Sequence, residues 1–497
     1  MTAFRQVRSA LLPGLLVSAA LAGPAQAETD LLAPTLRAQV ALAPEATQLV
    51  WVFFRDKGPD PETRLRDAEA SLWPRARSRR TRRSGREDLV EVADLPVYAP
   101  YVAAIGAHVS RVRHASRWEN ALSVEATGPQ LRELELFDWV AGMSLVGRHR
   151  PVEIDTRSQQ RAPETSAPAG AHLLDYGPSF DQLEQIGVPS VHDLGLHGQD
   201  VVIAVLDTGF DNLEHEAFSL LSIVAAYDFV NGDPDVSSGE DRGSGEHGTR
   251  VLSVIGGYKT GELIGPAFGA SFILAKTEDT WSETPIEEDN WVAAAEWAEA
   301  LGAEIITTSL GYTIFDSGDG YGPGDLDGAT AVISRAAQRA TELGVVVLSS
   351  AGNSGIVVDA PERNTLVAPA DAAGVLAVGA VDAMGERADF SSIGPSADGR
   401  IKPDVMALGV GVRAASPFIV SGYGPGSGTS FACPLSAGVA ALVLQAHPDY
   451  GVEQVGQALR LTGSQAAAPD NRMGFGILDA FAAVQIELPV GVPEQQE

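Results

Sequence analysis

The feature that most constrains this chain is a glycine-rich bend, GSGTSFACPLSAG at residues 426–438, which places Ser430 just before an apolar helix. A serine hydroxyl in such a bend is a candidate nucleophile, which requires a base and an acid that orients the base. Candidates for both lie far upstream, Asp207 in VVIAVLDTGFD and His247 in GEHGTRVLSVIGG. The three residues are separated by 40 and 183 positions. They can meet only in a fold that gathers its loops at one edge of a sheet.

The second half of the chain predicts such a sheet. Its short apolar runs are typical of buried parallel strands, and amphipathic segments at 286–302 and 329–344 each end at a glycine, as helices often do. The runs are residues 201–207, 271–277, 303–310, 345–352 and 374–381. Strands that alternate with helices indicate an α/β fold with a doubly wound, mostly parallel sheet. We expect this domain to span residues 176–486, followed by a tail at 487–497.

The first half has a different pattern, which predicts a small ferredoxin-like α+β domain at residues 28–152. Periodicity predicts elements in the order β-α-β-β-α-β. The strands are predicted at 48–54, 109–118, 121–127 and 140–152, and the helices at 95–109 and 128–139. Residues 153–175 are polar and contain proline and alanine, which is typical of a linker.

The first 27 residues have the pattern of a secretory signal peptide. Arg5 and Arg8 precede an apolar run, and Ala25-Gln26-Ala27 fits a cleavage site after Ala27. No later stretch has the roughly 18 consecutive apolar residues that cross a bilayer. We therefore expect a protein exported to the periplasm or the medium, without a membrane anchor.

The chain contains one cysteine, Cys433. An intrachain disulfide is excluded, so stability after export must come from packing or from bound ions. Although Cys433 lies three positions after Ser430, we expect it to be a small buried helix residue, because a free cysteine packs as a small hydrophobe.

Charge is divided unevenly along the chain, whose net charge is −30. Residues 1–172 carry 22 basic against 20 acidic residues, whereas residues 173–497 carry 13 against 45. So acidic a second half argues against nucleic acid and anionic membranes as partners. The first half contains an arginine-rich insert at 75–86, which is predicted to be a solvated loop; contact with the acidic half and a proteolytic nicking site are the alternatives.

A negatively charged intermediate at Ser430 would need hydrogen-bond donors. The start of the following helix supplies unpaired N–H groups. A second donor is available in SSAGNSG at 349–355, where Asn353 follows a buried strand and lies among glycines that allow a tight loop. Its side-chain amide is a candidate for stabilising an oxyanion.

These residues resemble the subtilisin-like serine peptidases. The blocks D-T-G, H-G-T, S-L-G, A-G-N and G-T-S-x-A-x-P all occur in the family's order over residues 195–485. The resemblance implies a secreted serine endopeptidase that cleaves proteins or peptides through an acyl-enzyme. It implies Asp207, His247 and Ser430 as the catalytic triad and Asn353 as the oxyanion donor.

The resemblance also implies a substrate-binding site, a maturation step and no cofactor for the chemistry. Ser309, Leu310 and Gly311 would pair with the substrate backbone, and Ala351 and Gly352 would line the pocket for the side chain before the cut. The ferredoxin-like domain would be a propeptide that assists folding and inhibits the cleft until it is cleaved within residues 150–175. We expect the enzyme to be a monomer.

Related enzymes often bind calcium, and the acidic run before His247 offers candidate ligands, foremost Asp233 and Asp235. The others are Glu240, Asp241 and Glu246. The spacing matches no ion-binding loop, so a solvated loop is the alternative. Glu278 and Asp279, beyond a strand near the expected cleft, suggest a preference for basic substrate residues.

The sequence departs from the family pattern at a few positions. Arg250 follows H-G-T where the family often has another residue, and it would point to solvent or brace a nearby acid. Phe431 and Cys433 replace a methionine and a small residue beside the nucleophile. These differences concern specificity more than activity. His215, by contrast, matches a position that is structural in the family.

Two other functions are compatible with parts of the sequence. D-T-G also occurs in aspartic peptidases, but their mechanism needs a second such motif, which the sequence lacks. A binding or folding-helper protein on the same scaffold, with its chemistry lost, is the other alternative.

Overall fold

The computed structural model describes residues 31–83, 88–146, 148–149, 172–238, 245–278, 286–312, 321–355 and 364–490. The predicted signal peptide, most of the predicted linker and Asp279 lie outside these ranges. We refer to residues 31–149 as the N-terminal unit and to residues 172–490 as the α/β unit.

The N-terminal unit is built on a four-stranded antiparallel sheet in the order β2-β3-β1-β4. Its strands are β1 (Gln48–Phe54), β2 (Arg111–Ser116), β3 (Ala121–Ala126) and β4 (Val140–Leu145). Its helices are α1 (Pro34–Leu42), α2 (Pro61–Ser71), α3 (Pro74–Arg83), α4 (Ala99–Gly106) and α5 (Gly128–Leu134). The predicted β-α-β-β-α-β order is confirmed, with α1, α2 and α3 as additions to it. A short strand β5 (Arg148–His149) follows the sheet.

The two faces of β1 explain why its sequence is apolar at nearly every position. Successive side chains of a strand point to opposite faces. Val50 and Val52 lie in the core of the N-terminal unit itself. Leu49 and Trp51 lie in a cluster shared with the α/β unit. The sheet is therefore covered on one side by its own helices and on the other by the second unit.

The arginine-rich insert is not a solvated loop, so that prediction was wrong. Its described part forms α3, in which Arg79, Arg80 and Arg83 are buried. These guanidinium groups contact Glu299 and Glu304 of the α/β unit. Contact with the acidic half, the first alternative, is what the structure contains. Residues 84–86 of the insert lie outside the described ranges.

The α/β unit contains a seven-stranded sheet in the order β15-β14-β13-β12-β6-β10-β7, and every neighbouring pair is parallel. The predicted doubly wound parallel sheet is confirmed. Its strands are β6 (Val202–Asp207), β7 (Ser222–Asp228), β10 (Ser271–Lys276), β12 (Ile305–Thr308), β13 (Val346–Ser350), β14 (Leu376–Val381) and β15 (Val405–Leu408). The edge strands β7 and β15 were not among the predicted strands.

Helices cover both faces of this sheet. On one face lie α8 (Glu246–Gly256) and α11 (Thr429–Ala446), and on the other lie α9 (Glu288–Leu301) and α10 (Val332–Glu342). The remaining elements are α6 (Phe180–Glu184), α7 (Val188–His192), β8 (Tyr258–Lys259), β9 (Leu263–Ile264), β11 (Ile286–Glu287), β16 (Val412–Ala415), β17 (Tyr423–Gly426), α12 (Val452–Leu461) and α13 (Ala480–Ala483).

By length and composition alone α11 would qualify as a membrane span, contrary to the expectation from the sequence. However, 89% of that stretch is buried inside the protein. This is the environment of a core helix, and it explains why the sequence after Ser430 is so apolar.

The two units are joined by polar contacts to α9 as well as by the shared apolar cluster. Arg113 Nε lies 2.9 Å from Asp289 Oδ2, and Arg117 Nη2 lies 2.6 Å from Glu299 Oε2. Ser116 donates to Glu296 at 2.6 Å. In addition, the backbone of β5 pairs antiparallel with β11. The acidic face of α9 is therefore bound by basic and polar side chains of the N-terminal unit.

Candidate active site

Asp207 and His247 are brought together at the carboxyl end of β6. Asp207 is the last residue of that strand and is fully buried, and His247 is the second residue of α8. His247 Nδ1 lies 2.7 Å from Asp207 Oδ1, which also accepts a hydrogen bond from the Thr208 backbone N–H. Because the carboxylate accepts from Nδ1–H, the lone pair of the neutral imidazole is at Nε2, available to accept a proton.

The close packing around Gly248 explains why a glycine follows His247. A Cβ at Gly248 would lie 2.2 Å from the carbonyl oxygen of Gly209 and 3.1 Å from Asp207 Cβ. Any side chain here would push the first turn of α8 away from the end of β6. The glycine therefore permits the short Asp207–His247 distance.

Ser430 is the second residue of α11, directly after a bend whose Gly428 has a φ of 145°. Its Oγ and the Nε2 of His247 are both buried, and neither forms a hydrogen bond within the described part of the chain. Catalytic hydrogen bonds are often long in the absence of substrate. The position that a Cβ of Gly428 would occupy is 2.9 Å from Ser430 Oγ and 3.4 Å from Asn353 Nδ2. The nucleophile and the amide donor therefore lie around one point.

The orientation of the Asn353 side chain is set by Thr429, a residue that the sequence reasoning did not single out. Asn353 Oδ1 accepts from the Thr429 backbone N–H at 2.9 Å and from the Thr429 hydroxyl at 3.0 Å. With the oxygen turned towards Thr429, the Nδ2 donor faces Ser430. The signal was present in the G-T-S block, since Thr429 begins α11 and its N–H has no partner within the helix.

The predicted substrate-binding residues lie on two neighbouring segments at the same edge of the sheet. Ser309, Leu310 and Gly311 follow β12, and Ala351 and Gly352 follow β13. Ser309 Oγ donates to the carbonyl oxygen of Ser430 at 2.9 Å. The Gly352 N–H donates to the Thr429 hydroxyl at 3.3 Å. Both segments thus contact the start of α11, beside the candidate nucleophile.

Arg250 takes a role that the sequence did not predict. Its guanidinium carbon lies 5.4 Å from the centre of the Phe431 ring, and Nη2 donates to the carbonyl oxygen of Pro425 at 2.5 Å. The Phe431 ring in turn packs edge-on against the His247 imidazole, with 6.3 Å between ring centres. Burial lowers the pKa of Arg250 from its ordinary value, against an opposing effect of Glu246. This stack links the helix that carries His247 to the strand and helix that flank Ser430.

Cys433 and His215 have the structural environments expected of them. Cys433 is fully buried, its Sγ lies 3.5 Å from Thr307 Oγ1, and burial raises the pKa of its thiol to about 12. Such a thiol is not a nucleophile near neutral pH. His215 accepts from the Ala217 N–H and donates to the carbonyl oxygen of Gly422.

The calcium candidates are engaged in turns. Asp233 Oδ1 accepts from the Asp235 N–H, and Asp235 Oδ1 accepts from the N–H and hydroxyl of Ser237. These bonds from Ser237 lower the pKa of Asp235. In the described ranges no group of three or more histidine, cysteine or acidic residues could hold a metal ion. Glu240 and Asp241 lie outside those ranges.

Glu278 does not have the exposed carboxylate that a preference for basic substrates requires. It is 1% exposed and accepts a hydrogen bond from the Tyr312 hydroxyl. Burial, followed by the charge of Glu278, raises the pKa of Tyr312 well above its ordinary value.

Comparison with known proteins agrees with this geometry. The model of the subtilase family matches residues 198–476, which is more than half of the chain. The chain belongs to the subtilase family. It is accordingly a serine-type endopeptidase. A second model, the peptidase S8 propeptide domain of Bacteroidota, matches residues 49–164.

Individual relatives of this subtilase include Subtilisin NAT of Bacillus subtilis subsp. natto, which is 32% identical over 63% of this chain and 72% of that protein. Subtilisin of Bacillus pumilus is 31% identical over 63% of this chain and its own entire length. Among solved structures, fervidolysin from Fervidobacterium pennivorans, a keratinolytic enzyme related to subtilisin, has a TM-score of 0.59 at 21% identity. That match covers 90% of this chain and 62% of the fervidolysin chain, and it shows a common fold.

The partner of Asp207 also separates the serine mechanism from the aspartic-peptidase alternative. An aspartic peptidase pairs two carboxyl groups that share a proton. Here Asp207 is bonded to an imidazole and a backbone N–H. The aspartate of the D-T-G block in this chain is therefore paired with a histidine and not with a second carboxyl group.

Proposed function

We propose that this chain is an exported, monomeric serine endopeptidase that hydrolyses peptide bonds in proteins through Asp207, His247 and Ser430. The observation that carries the proposal is the 2.7 Å contact between Asp207 Oδ1 and His247 Nδ1, which leaves the buried Nε2 of His247 available to accept a proton. The chemistry requires no cofactor.

In the first half-reaction His247 Nε2 takes the proton of the Ser430 hydroxyl as Oγ bonds to the carbonyl carbon of the substrate. The negative charge that develops on the substrate oxygen is stabilised by Asn353 Nδ2 and by N–H groups at the start of α11. Asp207 stabilises the imidazolium, which gives its proton to the departing amine. The acyl-enzyme that remains is hydrolysed by water, activated by the same imidazole.

Substrate would bind along Ser309, Leu310 and Gly311, with the side chain before the scissile bond directed between this segment and Ala351–Gly352. This proposal is supported by the contacts that both segments make with the start of α11. A structural calcium ion, a family trait for which Asp233 and Asp235 are the candidate ligands, belongs to the proposal and takes no part in the chemistry.

The N-terminal unit acts, in this proposal, as a propeptide that assists folding and inhibits the enzyme. The proposed organisation is a signal peptide at 1–27, a propeptide at 28–152, a linker at 153–175, the catalytic domain at 176–486 and a tail at 487–497. It is supported by the propeptide match and by the charged contacts with α9. Amino-terminal sequencing of the exported protein should find a start within 150–175; a start at Glu28 alone would contradict maturation.

The substitution Ser430→Ala tests the catalytic proposal. The wild-type protein should hydrolyse casein and react with a fluorophosphonate probe, and Ser430→Ala should do neither. The matched control is Ser436→Ala on the same helix, whose hydroxyl is also buried and donates to the carbonyl of Ala432; it should still react with the probe. Turnover retained by Ser430→Ala would refute the serine mechanism. A wild-type protein that binds casein without labelling or cleavage would favour a binding protein.

A further inference from the structure

The space between the two substrate-binding segments is occupied by the side chain of Val367. A Cβ at Gly311 would lie 2.4 Å from Val367 Cγ2, and a Cβ at Gly352 would lie 2.8 Å from Val367 Cγ1. One valine therefore contacts both glycines, each through a different methyl group. The absence of side chains at Gly311 and Gly352 creates a slot, and in this chain the slot is filled from within.

Val367 is held in this position from several sides. Its side chain is 3% exposed, and its backbone N–H donates to the carbonyl oxygen of Ala351 at 3.2 Å. The next residue, Ala368, exchanges two backbone hydrogen bonds with Tyr312, directly after Gly311. The segment that carries Val367 is thus tied to both walls of the slot, so the valine cannot withdraw without breaking these backbone contacts.

Gly352, which forms one wall of the slot, is also packed against Ser392. The Cβ position of Gly352 is 2.8 Å from Ser392 Oγ, and its φ of 110° is a conformation that L side chains rarely adopt. The Ser392 N–H donates to the carbonyl oxygen of Gly352 at 2.9 Å. Gly352 therefore has little freedom to move away from Val367 and widen the slot.

We propose that Val367 forms the floor of the pocket for the side chain before the scissile bond and restricts that side chain to glycine, alanine or serine. This inference rests on the proposed function, which directs that side chain between Gly311 and Gly352. A larger side chain would meet the two methyl groups of a buried and backbone-fixed valine. Packed interiors do not absorb such overlap without cost.

The test uses peptide p-nitroanilides that differ only in the residue before the cut, with alanine, leucine or phenylalanine at that position. The enzyme is produced from the full-length chain and its active sites are counted with the fluorophosphonate probe, so that kcat/KM refers to reactive enzyme. For the wild type we expect kcat/KM on the alanine substrate to exceed that on the phenylalanine substrate at least about tenfold, because one carbon in an apolar pocket changes kcat/KM by roughly 10- to 200-fold.

Removing the floor should reverse this preference. In Val367→Gly the ratio of kcat/KM for phenylalanine over alanine should rise by roughly 10- to 100-fold, and in Val367→Ala by a smaller factor. Val345→Ala is the matched control, since Val345 is also a buried valine but directly precedes β13, at the end of that strand opposite to Ala351 and Gly352. The control should keep the wild-type ratio even if it is less stable.

The outcomes separate this inference from the proposed function. A wild-type enzyme that reacts with the probe and cleaves the phenylalanine substrate as well as the alanine one overturns the inference alone. The inference alone is also overturned if Val367→Ala leaves the ratio of kcat/KM for phenylalanine over alanine unchanged. A wild-type protein that neither reacts with the probe nor cleaves any of the peptides overturns the proposed function, and the inference with it. If Val367→Gly does not fold, the kcat/KM values of Val367→Ala and of the wild type on the same peptides still test the inference.

Discussion

Replacing Glu299 by glutamine should loosen the N-terminal unit from the α/β unit. The Glu299 carboxylate is completely buried on α9 and is bonded to Arg79, Arg80 and Arg117 of the N-terminal unit. Glutamine keeps the shape and one acceptor but removes the charge. Three guanidinium groups would then share a buried site without the carboxylate that neutralises them.

Two estimates of the effect agree. Burial alone would raise the pKa of Glu299, but the charges of Arg79, Arg117 and Arg80 outweigh it and lower the pKa from an ordinary 4.5 to about 2. Since one pKa unit corresponds to about 1.4 kcal/mol, the ionised form stabilises the docked structure by about 3 kcal/mol relative to the protonated form. Removing one partner of a buried ion pair typically costs about 3–5 kcal/mol. We expect a loss of about 3 kcal/mol.

The measurement is urea unfolding of the full-length chain in a Ser430→Ala background, which prevents self-cleavage. Tryptophan fluorescence reports on docking because Trp51 is fully buried in the cluster that the two units share. The matched control is Glu69→Gln, whose carboxylate is 48% exposed and pairs with Arg77 within the N-terminal unit. Exposed pairs contribute at most about 1 kcal/mol.

The pH dependence gives an independent check with a defined sign. The pKa of Glu299 is lower in the folded protein than in the unfolded chain, so its contribution is complete above pH 4.5 and is lost as the pH falls towards 2. The difference in free energy of unfolding between the wild type and Glu299→Gln should therefore disappear as the pH falls from 4.5 towards 2. If Glu299→Gln and Glu69→Gln unfold within about 0.5 kcal/mol of one another at pH 7, the reasoning about buried charge at this interface is wrong.

Three further outcomes are expected. If Asn353 is the proposed oxyanion donor, Asn353→Ala should lower kcat by roughly 100- to 1000-fold, the magnitude known for loss of one such donor in subtilisin, with KM little changed; an unaltered kcat would contradict this role. Gly248→Ala should abolish labelling by the fluorophosphonate, because its Cβ would lie 2.2 Å from the Gly209 oxygen. Burial lowers the pKa of His192 from 6.5 to about 4. As the pH falls from 6.5 to 4, the folded protein should therefore lose up to about 3 kcal/mol of stability, because the unfolded chain is protonated first. Urea unfolding should show no such loss in His192→Gln, and parallel curves of stability against pH for the two proteins would contradict this reasoning.

The order of elements could be predicted because hydrophobic periodicity is a local property. Five strands of the parallel sheet and both long helices on one of its faces follow from apolar runs and terminal glycines. The edge strand β7 was not predicted, and it differs from the central strands in its environment, since Ser222, Ile223 and Val224 are exposed. The other edge strand, β15, has only four residues between proline and glycine segments.

The residues proposed to perform the chemistry could be identified from the sequence, whereas those that hold them in position could be identified much less readily. Asp207, His247 and Ser430 are found from motifs, whereas the bonds from Thr429 that orient Asn353 require coordinates. The same is true of Val367, which lies in no motif. Its contacts with Gly311 and Gly352 exist only because two strand ends and a later loop converge.

The arginine-rich insert shows why charge is hard to interpret from sequence. A run of arginines is normally solvated, since burying an unpaired guanidinium is costly. That expectation fails for α3 because the compensating carboxylates, Glu299 and Glu304, lie more than 200 residues later. The uneven charge of the two halves of the chain therefore arises partly from a single interface between them. Acidic side chains accumulate on α9, and the arginines that neutralise them are carried by the unit that packs against it.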